Sequence, residues 1–150
     1  MIRQFRPEDA QQCNDIVLSC IRTDRFLSEN LRAILLRTET PDRMVERARL
    51  FYIAVSEDQS AIRGLGGLEL NEIRLLYVAP EHQRSRIGSE MLLHLQSLVP
   101  AALFPDIFVY AAPGAVGFYR AHGFQARGDY LIRIGEESLP TVFMTKPIPS

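Results

Sequence analysis

Between Glu72 and Leu93 the chain passes from a strand directly into a helix, across one short loop. EIRLLYV, Glu72–Val78, reads as a strand that Pro80 brings to an end. The apolar residues Ile87, Met91, Leu92, Leu95, Leu98 and Val99 then recur with helical spacing and predict a helix over Gln83–Val99. The turn HQRSRIGS falls where that helix begins. A helix N-terminus carries unpaired N–H donors and a partial positive charge, so the turn suits a phosphate or pyrophosphate. Gly88 lets the backbone approach such a group, and Arg84 and Arg86 can add charge-assisted contacts. The run is neither a Walker loop nor a GxGxxG fingerprint, since the required glycines and lysine are missing.

The rest of the chain bounds this reading. Its 150 residues suit one domain with one core. A net charge of −1 gives no field that would hold nucleic acid or an anionic membrane. No apolar run reaches the ~18 residues of a membrane span, and MIRQFRPEDAQQ lacks the apolar stretch of a signal peptide. The reading is of a cytoplasmic protein. Cys13 and Cys20 lie too far apart on one helix for a disulfide and read as small buried hydrophobes. His82, His94 and His122 form no zinc spacing with them, so no metal is expected.

Element by element, Ile2–Phe5 reads as a strand, and Pro7 opens a helix that carries Ala10, Cys13, Ile16, Val17, Cys20 and Ile21 inward. A helical region with Leu27, Leu31, Ile34 and Leu35 breaks before Pro41, and Thr40 caps a further helix. Strands follow at Phe51–Val55, Ile62–Leu70 and Glu72–Val78, with Glu57–Ser60 as a turn. After the helix come a strand at Ile107–Tyr110, a short helix at Gly114–His122 capped by Gly123, and strands near Phe124–Ile134 and Thr141–Thr145. The order β-α-α-β-β-β-α-β-α-β-β argues for an α+β domain whose sheet is covered by helices on both faces.

Two motifs resemble the GNAT superfamily, the Gcn5-related N-acetyltransferases. Leu76, Tyr77, Val78, Pro80, Gln83 and Gly88 match the strand L-Y-V-x-P and the loop Q/R-x-x-G-x-G/A of its motif A. AVGFYRAHGF, Ala115–Phe124, is similar to its motif B, A-x-x-F-Y-x-x-x-G-F. The opening IRQFRPEDA and the run GLGGLEL agree in outline, so the likeness spans nearly the whole chain. It implies one domain over residues 1–150, with a mixed, mostly antiparallel sheet of about seven strands. It implies acetyl-CoA as cosubstrate, held by Leu76, Tyr77, Val78, Gln83, Arg84, Ser85, Arg86, Ile87, Gly88 and Ser89. The fourth and fifth strands of the family splay, and the acyl-pantetheine lies between them. Two departures stand out. Arg86 replaces the first loop glycine, where a positive φ would cost ~1–2 kcal/mol and a negative φ nothing. Tyr110, Ala111 and Ala112 occupy the stretch where the family often carries an asparagine.

The resemblance makes Tyr119 the acid that protonates the departing thiolate, since a phenol of pKa ~10 is neutral at working pH; Phe118 reads as core. Glu72 is the candidate base, placed on the same strand face as Leu76, ~13 Å away and so acting through water, with Glu69 as rival. The implied activity is N-acetyl transfer to a primary amine of a small molecule or peptide. The acceptor is expected near residues 22–49, where seven arginines face five acids and weakly favour an acceptor bearing a carboxylate. The alternative is a CoA-binding sensor or structural module without turnover. A homodimer is compatible with the family pattern.

Overall fold

The strand and helical runs of the sequence become seven strands and five helices in a computed structural model, which describes residues 1–149. The strands are β1 (Ile2–Gln4), β2 (Tyr52–Asp58), β3 (Ala61–Glu69), β4 (Glu72–Val78), β5 (Asp106–Ala111), β6 (Gln125–Ile134) and β7 (Glu137–Pro147). They form one sheet in the order β1-β2-β3-β4-β5-β7-β6. All neighbours are antiparallel except β4 and β5, which run parallel. The helices are α1 (Ala10–Thr23), α2 (Glu29–Thr38), α3 (Pro41–Leu50), α4 (Ile87–Ser97) and α5 (Val116–Ala121). Three helices therefore separate β1 from β2, one more than the expected order counts. The break between α2 and α3 is a capping event. The Thr40 hydroxyl accepts from the Arg43 N–H, and Pro41 holds the first helical position.

The helices divide the core into two. On one face of the sheet, α1 and α3 bury Cys13, Val17 and Met44 against Ile53, Val55 and Leu65. On the other, α4 and α5 bury Met91, Leu92, Leu95 and Tyr119 against Ile73, Ile107 and Met144. Close approach fixes α4 on β3. A Cβ on Gly66 would stand 2.7 Å from Met91 Cγ, so a side chain there would push the helix off the sheet.

Several boundaries differ from the sequence reading. β2 continues to Asp58, which leaves Gln59 and Ser60 as the turn, both left-handed at φ 52 and 66. The helix expected from Gln83 starts only at Ile87, because Gln83–Arg86 form the loop. The stretch from Gly114 is a tight 3-10 turn, Pro113–Ala115, before α5. Gly123 is left-handed as expected, at φ 92.

One irregularity shapes the centre of the sheet. In the β3–β4 ladder Leu68 pairs with Ile73 and Gly67 with Leu75, so Arg74 is an extra residue, a bulge. The bulge reverses the alternation along β4. Ile73 and Leu76 both face α4, whereas Leu75 and Tyr77 face α1. Glu72 thus lies on the face opposite Leu76, not on the same face as a regular strand would place it. Beyond the bulge β4 leaves β5. The pair is bonded only at Glu72–Phe108 and Ile73–Val109, with Asn71 tied to Asp106 and Phe108 just below. From Leu75 to Val78 the edge of β4 facing β5 has no partner strand.

Candidate functional site

The gap between β4 and β5 opens into a cavity on each side. The larger, about 480 Å³, lies on the α4 and α5 side. Its wall is built from Leu76 and Val78 of β4, from the loop residues His82, Gln83, Arg84 and Ser85, from Gly88 and Ser89 of α4, and from Gly114, Ala115, Phe118 and Tyr119. The smaller, about 270 Å³, lies within the gap toward the β6–β7 hairpin. Leu76, Ala115 and Tyr119 line both.

No side chain caps α4. Its first internal bond runs from Glu90 N–H to the Arg86 carbonyl, and Ile87 N–H has only a long contact with Ser85 Oγ, 3.4 Å. The N–H groups of Gly88 and Ser89 precede that first bond and stand at the cavity wall, as an anion site requires. The loop is strained, but not where the sequence pointed. Arg86 is right-handed at φ −82, whereas Arg84 is left-handed at φ 66. The strain of ~1–2 kcal/mol falls two residues earlier, in an exposed position. Neither arginine pairs with a carboxylate among the described residues, and Arg84 alone of the two lines the cavity.

Other residues singled out in the loop have internal work. Gln83 donates to the Val78 carbonyl at 3.1 Å, and the Cys20 thiol donates to the same oxygen at 3.3 Å. Together they tie the loop to the end of β4. Cys20 is thus not simply a core hydrophobe; burial raises its pKa to about 11, so it stays a neutral thiol. Ile87 packs over β3, where a Cβ on Gly64 would approach its Cγ2 to 2.9 Å. Ser85 Oγ donates to the His82 carbonyl. Tyr77 lines the smaller cavity only, and burial pushes its phenol to about 12.

Tyr119 is 4% exposed and makes no side-chain hydrogen bond among the described residues. Burial, with the neighbouring Tyr77 phenol adding to it, holds its pKa well above the ordinary tyrosine value. Phe118 is more than core, since it forms part of the larger cavity's wall beside Gly88. His122 is a residue that motif reading passes over. Its Nδ1 lies 2.8 Å from the Phe118 carbonyl and its Nε2 2.9 Å from Ser89 Oγ. A carbonyl only accepts, so Nδ1–H donates to it, and Nε2 shares a hydrogen bond with the Ser89 hydroxyl. Its position just before Gly123 in motif B was visible, but nothing in the sequence links it to Ser89 on α4.

Glu72 lines neither cavity. Its carboxylate lies 3.9 Å from Arg74 Nε, and Arg74 also bonds Glu69. Burial raises the Glu72 pKa while Arg74 works against that rise. The helices of residues 22–49 contribute no wall to the smaller cavity either. Two of their arginines are engaged elsewhere: Arg32 caps carbonyls of Ile21 and Asp24, and Arg47 forms a two-pronged pair with the buried Glu39. Among the described residues no cluster of three or more His, Cys, Asp or Glu could hold a metal ion, and no helix is long and apolar enough to cross a membrane.

The site thus combines a split central strand pair with two adjoining cavities and an uncapped helix start at the larger of them. Residues 10–142 match the family model described as acetyltransferase (GNAT) domain, and the chain belongs to that family. Solved structures share the fold. A GCN5-related N-acetyltransferase from Rhodopseudomonas palustris is 22% identical, with 98% of this chain and 94% of that one covered at a TM-score of 0.90. PaiA N-acetyltransferase from Thermoplasma acidophilum, in complex with coenzyme A, is 17% identical, with 98% of each chain covered at 0.77. YncA, a putative acetyltransferase from Salmonella typhimurium with its cofactor acetyl-CoA, is 16% identical, with 100% and 94% covered at 0.74. No curated protein sequence matches the chain.

Proposed function

We propose that this chain transfers an acetyl group from acetyl-CoA to a primary amine of a small molecule or peptide, by direct attack in a ternary complex. The observation that carries the reading is the pair of cavities meeting at Leu76, Ala115 and Tyr119. One cavity suits a phosphate-bearing cosubstrate and the other its acceptor. Acetyl-CoA supplies the thioester carbonyl and the thiolate leaving group.

The chain's residues then take these parts. Gly88 and Ser89 N–H groups, with Arg84 and Arg86, hold the pyrophosphate at the start of α4. The unpartnered edge of β4 across Leu76, Tyr77 and Val78 bonds the pantetheine amides and polarises the carbonyl. Gln83, Ser85 and Ile87 keep loop and helix in register with that edge. As the N–C bond forms and the C–S bond breaks, Tyr119 gives its phenolic proton to sulfur. Burial holds the Tyr119 phenol neutral, so its proton is available when the thiolate forms beside it. Glu72, behind Arg74, receives the amine proton through water, and its burial-raised pKa suits that role.

Acetyl-CoA should raise the melting temperature, and adding an amine panel should give amine-dependent thiol release. Stabilisation without release on any amine would favour a CoA-binding module instead. For Glu72, a pH–rate profile unchanged in Glu72→Gln would remove it as the base.

A further inference from the structure

The acceptor side carries its own chemistry, and we infer that the amine substrate is a small, aromatic-bodied monoamine without a carboxylate. The inference rests on the transferase reading and specifies its acceptor. Three observations converge on it. The first is size: a cavity of about 270 Å³ lies just below the usual range of small-molecule sites, which begins near ~300 Å³. That space suits the body of a phenylalkylamine.

The second observation is charge. Arg74 is the single charged residue among those lining the cavity. It is already bonded to Glu69 and faces Glu72 at 3.9 Å, so it has no charge to spare for a substrate carboxylate. An α-carboxylate in this apolar space would lack a counter-ion, and burying an unpaired charge is strongly unfavourable. The lining includes no carboxylate that could hold the second ammonium of a polyamine. The arginine excess of residues 22–49, which favoured a carboxylate-bearing acceptor, does not reach this cavity.

The third observation is an aromatic strip that starts at Tyr110 in the cavity wall and runs on across the sheet beyond it. Tyr110 lines the cavity and lies 4.9 Å from the Tyr130 ring and 5.2 Å from Phe143, which is 5.7 Å from Phe108. Tyr130 is 52% exposed, so the strip is not sealed by a helix. Ile132, Leu139 and Thr141 of the β6–β7 hairpin complete the wall. Offset rings at these separations favour a further aromatic group against them.

The experiment compares amines that differ in one group. With acetyl-CoA saturating, thiol release is measured for 2-phenylethylamine, phenylalanine, spermidine and an alanine-started peptide. The expected kcat/KM for 2-phenylethylamine exceeds that for phenylalanine at least thirtyfold, roughly, and exceeds spermidine and the peptide as well. Tyr110→Ala and, in case that variant fails to fold, Tyr130→Ala should lower the preference for 2-phenylethylamine over butylamine about fivefold or more, with the KM for acetyl-CoA unchanged. Equal or better use of phenylalanine, spermidine or the peptide would overturn the inference. If acetyl-CoA binds and no amine turns over, the transferase reading fails instead. Calorimetric binding of 2-phenylethylamine and phenylalanine to the CoA-loaded protein then decides the acceptor question. Tighter binding of phenylalanine overturns the inference, and tighter binding of 2-phenylethylamine supports it.

Discussion

The two cavities that meet at Tyr119 are built in opposite ways. The wall on the α4 side comes from two short stretches, Leu76–Ser89 and Gly114–Tyr119, and relies on backbone geometry. The wall on the other side draws on β4, β5, β6 and β7, from Ile73 to Thr141, and relies on side chains. A backbone site for a fixed ligand can be written as a local motif, because the needed N–H groups belong to consecutive residues. A side-chain site for a variable ligand is scattered, because the sheet brings distant residues together. The first can therefore stay recognisable while the second changes freely.

The sharpest way to break this comparison is to disable one cavity and watch the other. Gly88→Leu places a side chain where even a Cβ would stand 3.3 Å from Phe118. Affinity for acetyl-CoA should fall at least about a hundredfold by calorimetry, while 2-phenylethylamine still binds. Retained cofactor affinity would mean that the cosubstrate does not lie against Gly88. A smaller effect is expected from His122→Ala, which removes the partner of Ser89 and of the Phe118 carbonyl. Cofactor affinity should weaken about tenfold, corresponding to one to two net hydrogen bonds. An unchanged Kd would make His122 a packing residue only.

In the wall of the smaller cavity, the Tyr77 phenol is pushed up to about 12 by burial. Because the folded value is raised, the unfolded chain ionises first. Stability from this group is full below pH ~10 and is lost as pH rises through 10 toward 12. Denaturant midpoints should fall over that window in the wild type and fall less in Tyr77→Phe. The smallest effect belongs to Arg84→Gly. Relief of the left-handed strain should stabilise the free protein by about 1 kcal/mol or less, while cofactor binding loses part of its salt dependence. A lower melting temperature would contradict the strained reading of that residue.

Much of the frame was legible in the sequence. A strand was read near each of the seven observed, and Thr40–Pro41 announced the start of α3. The β4 strand, Glu72–Val78, matches the sequence reading at both ends. What the sequence concealed lies in backbone conformation and long-range contact. The bulge at Arg74 leaves no trace in hydropathy, yet it reverses the faces of β4, moving Glu72 away from Leu76. Loop strain at Arg84 instead of Arg86 is equally invisible, since both are arginines in a polar run. The His122–Ser89 bond and the aromatic strip join residues 33 and 20 positions apart, as in His122–Ser89 and Tyr110–Tyr130, and only the folded sheet brings them together.

The central claim is that Tyr119 serves both cavities as the proton donor to sulfur. Tyr119→Phe keeps the ring and its packing and removes only the hydroxyl, which has no protein partner among the described residues. The measurement is kcat for acetyl transfer alongside the Kd for acetyl-CoA in this variant. The account predicts kcat lower by about 10²–10⁴-fold with Kd within a factor of two or so. A kcat near wild type, with the cofactor bound as before, would contradict it.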